Sequence, residues 1–106
     1  MDFQEKTDLE QKVIGVLKSI YDPEIPVDVY ELGLIYEIAF DDERNAKILM
    51  TLTSPNCPVA ESLPQEVQDK VGGIDGITSA KVEITFEPTW NKDMMSEEAQ
   101  LELGFL

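Results

Sequence analysis

The spacing of apolar residues changes twice along this chain, and that change limits the fold more than any other feature. From Leu9 through Val13, Val16, Leu17 and Ile20 they fall three or four apart, one stripe on a helix. From Leu34 they fall two apart: Leu34, Tyr36, Ile38 and Phe40, then Ile48, Met50 and Leu52 within Lys47 to Thr53. Period two places each set on one face of a strand. The cluster Asp41–Asn45 between the two sets is rich in turn formers, so the pair reads as a β-hairpin. Helical spacing returns with Val59, Leu63, Val67 and Val71, and period two once more with Ala80, Val82, Ile84 and Phe86.

The boundaries have their own signals. Thr7-Asp8-Leu9-Glu10 has the form of a capping box at the start of the first helix. Tyr21-Asp22-Pro23 ends that helix near Ile20, because a residue before proline is pushed out of the helical region. Pro23 and Pro26 stiffen a loop that Gly33 closes. Pro58 suits the first position of the second helix, where a missing amide costs nothing. Pro64 requires either a kink or a restart with Ser62 as cap. Pro88-Thr89-Trp90-Asn91 reads as a turn, and Ser96-Glu97-Glu98 caps a last short helix that ends near Gly104. The predicted order is α–β–β–α–β–α. Each strand is apolar on one side, so the expected class is α+β: a small three-stranded sheet with helices on one face, one domain over residues 1–106.

Charge narrows the function. Eight Lys and Arg against 22 Asp and Glu give a net charge of −14, and there is no histidine. Such a field repels phosphate backbones and anionic lipid heads, so neither nucleic acid nor a membrane surface is an expected partner. Basic protein surfaces and metal ions suit it better. No run approaches the ~20 apolar residues needed to span a bilayer. The polar, acidic N-terminus is unlike a secretory signal, and the single cysteine cannot form an internal disulfide. The expected compartment is the cytoplasm.

The chemistry centres on that cysteine. Cys57 lies between Pro55 and Pro58, outside any apolar stripe and just ahead of a predicted helix. Amides and the positive end of the helix dipole there stabilise a thiolate, the form that binds metal. A lone cysteine is more often buried and inert, but its loop position argues against that here. One thiolate cannot close a metal site: zinc takes four ligands and clusters usually take four cysteines. No zinc site is expected, and no Cys–His catalytic pair is available, so the chain does not read as an enzyme. A second constellation is Asp22-Pro23-Glu24-Ile25-Pro26-Val27-Asp28, with carboxylates on a proline-stiffened segment. Taken alone, it could also be a capped turn with Glu24 in solvent. Trp90, the one tryptophan, is ordinarily core or staple rather than binding site.

Taken together these segments are recognisable. Asp22-Pro23-Glu24-Ile25-Pro26-Val27 with Glu31-Leu32-Gly33-Leu34-Ile35-Tyr36 resembles the N-terminal signature of the SufT and PaaD-like family. Thr53-Ser54-Pro55-Asn56-Cys57-Pro58 is similar to its cysteine loop, and Pro88-Thr89-Trp90 to its third motif. The closing Met95–Ala99 and Leu103-Gly104 resemble the bacterial SufT-like branch. The resemblance implies an iron–sulfur assembly fold and a role in delivering or maturing clusters on client proteins. It carries the reactive position to Cys57 and the acidic positions to Asp22 and Glu24, with Thr53 opening the cysteine loop. The implied cargo is a transient iron–sulfur cluster, shared between subunits of a homodimer or with a partner. The implied partners are assembly proteins and client apoproteins. The alternative reading is an accessory maturation subunit of a ring-hydroxylating oxygenase complex, without a cluster of its own. That PaaD branch usually carries a C-terminal cysteine cluster, which this chain lacks. In either case the hairpin geometry predicts that Asp22 and Glu24 lie near Cys57 at one end of the sheet.

Overall fold

The first apolar stripe becomes helix α1, Phe3–Leu17, and buries Leu9, Val13 and Leu17. A computed structural model describes residues 1–22, 25–53 and 62–104. The helix begins earlier than the capping-box pattern predicts: Asp2 is the N-cap, its carboxylate accepting the Glu5 amide at 2.8 Å. Thr7 is not a cap but lies inside the helix, where its hydroxyl donates to the Phe3 carbonyl at 2.9 Å. Aspartate is as good a cap as threonine, and starting at Asp2 gains more than a turn of backbone bonding. A threonine inside a helix then bonds one turn back. The helix also ends sooner than expected, at Lys18, and Ile20 is fully buried just beyond it.

The next segment folds on itself. Val29 donates to the Ile20 carbonyl at 2.8 Å, Asp22 donates to Val27 at 3.2 Å, and Tyr21 bridges Asp28. The Asp28 carboxylate accepts the Glu31 amide at 3.0 Å and starts a tight turn that ends at Gly33, φ 79°. Val27, Val29, Leu32 and Leu34 are buried, so this loop is part of the core.

Strands β1 (Ile35–Phe40) and β2 (Asn45–Met50) form the expected antiparallel hairpin, with Ile38 opposite Ile48 and Phe40 opposite Ala46. Two details differ from the predicted alternation. The register shifts between Ile35, which pairs with Met50, and Glu37, which pairs with Leu49. Tyr36 is the extra residue of this bulge, so Leu34, Tyr36, Ile38 and Phe40 do not form one regular face. The second strand is also shorter than Lys47–Thr53, although Ile48, Met50 and Leu52 are buried as expected. The turn is held by Asp41, whose carboxylate accepts the amides of Glu43 and Asn45 and the Asn45 side chain, each at 2.9 Å.

Helix α2 is described over Ser62–Gly72 and buries Leu63, Val67 and Val71 at the predicted spacing. Pro64 falls in the first turn of that stretch; Pro58 and Val59 lie outside the described residues. Strand β3, Ser79–Ile84, then pairs parallel with β2, Ile48 beside Val82 and Met50 beside Ile84. The sheet is therefore mixed, in the order β1-β2-β3, with β2 central. Phe86 departs from expectation: it lies past the strand and is 37% exposed. β3 is an edge strand, and just past its end the Thr85 amide donates to the Met50 carbonyl at 2.9 Å. A short 3-10 turn, Lys92–Met94, leads to helix α3, Glu97–Glu102, capped by Ser96 as predicted. On β2, Ala46, Ile48 and Met50 are buried while Lys47 between them is exposed, so the two faces of the sheet differ as an α+β fold requires. No helix of the described residues is long and apolar enough to cross a membrane.

Candidate functional site

The acidic loop and the start of the cysteine loop are joined by a row of backbone hydrogen bonds. Val29 donates to Ile20 at 2.8 Å, Leu34 to Val29 at 3.2 Å, and Thr51 to Leu34 at 2.8 Å. Three successive bonds thus tie the chain just before Asp22 to the chain just before Thr53. The last of them arises because β1 and β2 are antiparallel, so the residue before β1 meets the residue after β2. Both segments consequently lie at the same end of the sheet.

The predicted site residues fall differently on this frame. Asp22 is 3% exposed, and one carboxylate oxygen accepts the Ile25 amide at 3.2 Å. That bond ties the Asp22 carboxylate to the backbone of the acidic loop. Thr53 is half-buried at the bend that follows β2. Glu24 and Cys57 lie outside the described residues, as does any distance from the carboxylates to the sulfur. Among the described residues no three His, Cys, Asp or Glu side chains converge closely enough to hold a metal ion.

Two features escape sequence reasoning. Thr51 is fully buried, and its hydroxyl has no hydrogen-bond partner among the described residues. Alternation places Thr51 opposite in phase to Met50 and Leu52, a position that normally faces water; nothing in the pattern marks it as interior. A buried hydroxyl costs about 1–3 kcal/mol wherever it is left without a partner. The second feature is a groove of about 320 Å³ beside the acidic loop, lined by Lys18, Tyr21, Asp28, Glu31, Glu98 and Glu102 among others. Lys18 stands 3.6 Å from the Glu31 carboxylate and 5.5 Å above the Tyr30 ring. The groove joins residues about seventy positions apart, which periodicity cannot bring together.

Known proteins are similar to this chain in sequence and in fold. The chain is 52% identical over 97 residues to a protein of Porphyromonas gingivalis named Fe-S protein maturation auxiliary factor, a match covering 92% of each. It is 39% identical over 85 residues to the Fe-S protein maturation auxiliary factor SufT of Staphylococcus aureus, covering 80% of this chain and 97% of the relative. The crystal structure of a domain of unknown function, DUF59, from Bacillus anthracis superposes with a TM-score of 0.87 at 33% identity, over 94% of this chain and 95% of that one. The family model described as iron-sulfur cluster assembly protein matches residues 10–84, a span that holds both loops and all three strands, and the chain belongs to that family.

Proposed function

We propose that this protein is an iron–sulfur maturation factor that handles a cluster, or its iron, as cargo and not as a resident group. The observation that carries the reading is the hydrogen-bonded row from Ile20 through Val29 and Leu34 to Thr51, which brings the acidic loop and the start of the cysteine loop to one end of the sheet. Cys57 supplies the thiolate, and Asp22, Glu24 and Thr53 belong to the same binding set. The donor set limits what can be held. With one cysteine and no histidine, the chain cannot complete a four-ligand cluster or zinc site from its own sulfur and nitrogen. The remaining ligands come from a second copy, a small thiol or a partner. Shared ligation suits a carrier, because a cargo held by few bonds is readily passed on.

The acidic groove and the net charge of −14 favour assembly proteins and client apoproteins that present Lys or Arg. The maturation names of the relatives favour this reading over that of an oxygenase accessory subunit. With no histidine in the chain to pair with Cys57, and with relatives named as maturation factors, the reading is binding and transfer rather than catalysis, and its setting is the reducing cytoplasm.

The test is anaerobic reconstitution with ferrous iron, sulfide and a small thiol. The wild-type chain gains the visible absorption of a cluster. Cys57→Ser loses it, while thermal stability changes by less than about 1.5 kcal/mol, since the swap removes little volume. Equal absorption in both proteins would overturn the reading, and a stability loss of several kcal/mol would make Cys57 structural.

A further inference from the structure

The Pro88-Thr89-Trp90 motif stands apart from the residues assigned to the site, yet the fold connects it to them. The chain from Pro88 to Ser96 crosses the turn that joins the acidic loop to β1, and it engages three successive residues there. Ser96 donates its amide to the Glu31 carbonyl at 2.9 Å. The indole N–H of Trp90 donates to the Leu32 carbonyl at 2.7 Å. Gly33 packs its α-carbon so closely under the Met94 carbonyl that no side chain fits between them. The far end of the segment is anchored separately, by the Tyr36 hydroxyl donating to the Pro88 carbonyl at 2.7 Å.

The turn does not need these contacts to close. Leu32 already donates to the Asp28 carbonyl at 3.0 Å and Gly33 to Tyr30 at 3.1 Å. The crossing segment instead fixes where the turn sits. Leu34, one residue on, is the middle of the row that connects Ile20 and Val29 to Thr51. Any shift of residues 31–33 is therefore passed to the Asp22 side and to the end of β2. We infer that residues 88–96 form a strap over the Glu31–Gly33 turn, and that Trp90 is a positioning residue which holds the Asp22 loop at a set distance from the end of β2. This rests on the reading that Asp22 and Cys57 share one site. Trp90 acts through the Leu32 carbonyl and touches no cargo.

The test reads the pH profile of Cys57 alkylation by iodoacetamide in the full-length chain. A neighbouring carboxylate disfavours the thiolate, so Asp22→Asn is expected to speed alkylation near neutral pH by about threefold or more. Trp90→Phe keeps an aromatic ring and removes the N–H. It is expected to move the profile in the same direction, by about twofold, and to add little in the double variant, because it works by displacing the same carboxylate. Tyr36→Phe releases the other anchor, is expected to give a smaller shift of the same sign, and serves if Trp90→Phe does not fold. A wild-type profile in the Trp90→Phe and Tyr36→Phe proteins, with Asp22→Asn shifted, overturns the strap and leaves the site standing. Full additivity of Asp22→Asn with Trp90→Phe overturns it as well. A wild-type profile for Asp22→Asn overturns the shared site, and the strap falls with it.

Discussion

Gly33 shows how much one residue can decide. Its φ of 79° lies in the left-handed region, and a Cβ there would overlap the Met94 carbonyl oxygen. The first cost is about 1–2 kcal/mol for any L-side chain in that conformation. The second is greater, since the obstacle is backbone and cannot rotate away. Gly33→Ala is therefore expected to destabilise the fold by about 3 kcal/mol or more, measured by urea unfolding. A loss under about 1 kcal/mol would mean that the Met94 turn moves aside freely. The sequence marks Gly33 as the end of a loop, but the close approach of Met94, sixty-one residues later in the chain, is a tertiary fact. Thr51 is similar: its identity was plain in the strand pattern, its burial was not.

The hairpin is the element most legible in sequence, because both its signals are local: period two on either side and turn formers between. Among the described residues, its turn also contains the one carboxylate with a clear shift in acidity. The Asn45 side chain, and after it the Asn45 amide, hold Asp41 below the usual 3.8. A carboxyl whose acidity is raised on folding stabilises the hairpin above its unfolded pKa, and that contribution is lost as pH falls through the lower folded value. The melting temperature of Asp41→Ala should thus lie below that of wild type at pH 6, and the gap should narrow from about pH 4 downward. A gap that stays constant with pH would mean that the carboxylate's charge contributes nothing. The same local logic fails for β1, where Tyr36 bulges out of register. Its hydroxyl bonds to the Pro88 carbonyl, so the bulged residue meets a segment about fifty residues away that the local pattern does not report.

For the molecule as a whole, the excess of 22 acidic over eight basic residues acts on stability as well as on partner choice. The radius of gyration is 13.8 Å, while the screening length is about 30 Å at 10 mM salt and about 8 Å at 150 mM. At low salt nearly every carboxylate feels every other, and repulsion opposes the compact state. The melting temperature is expected to rise by several degrees between these two salt concentrations, as followed by circular dichroism. An unchanged or falling melting temperature would mean that the few ion pairs, such as Arg44–Glu5 at 3.0 Å, outweigh the general repulsion.

The sequence by itself determined the element order, the hairpin, the apolar faces of α1 and α2, and the limits that one cysteine and no histidine set on metal chemistry. These properties depend on neighbours within a few positions or on composition, and the chain carries both directly. Only the tertiary structure decided that β3 runs parallel to β2, that Tyr36 bulges, that Asp22 is buried and bonded to its own turn, and that the Trp90 segment grips the acidic loop. Each of these is a contact between residues whose local patterns say nothing of one another, or a burial that depends on what packs above. Side-chain period reports the face a residue occupies; what covers that face is set by the rest of the chain.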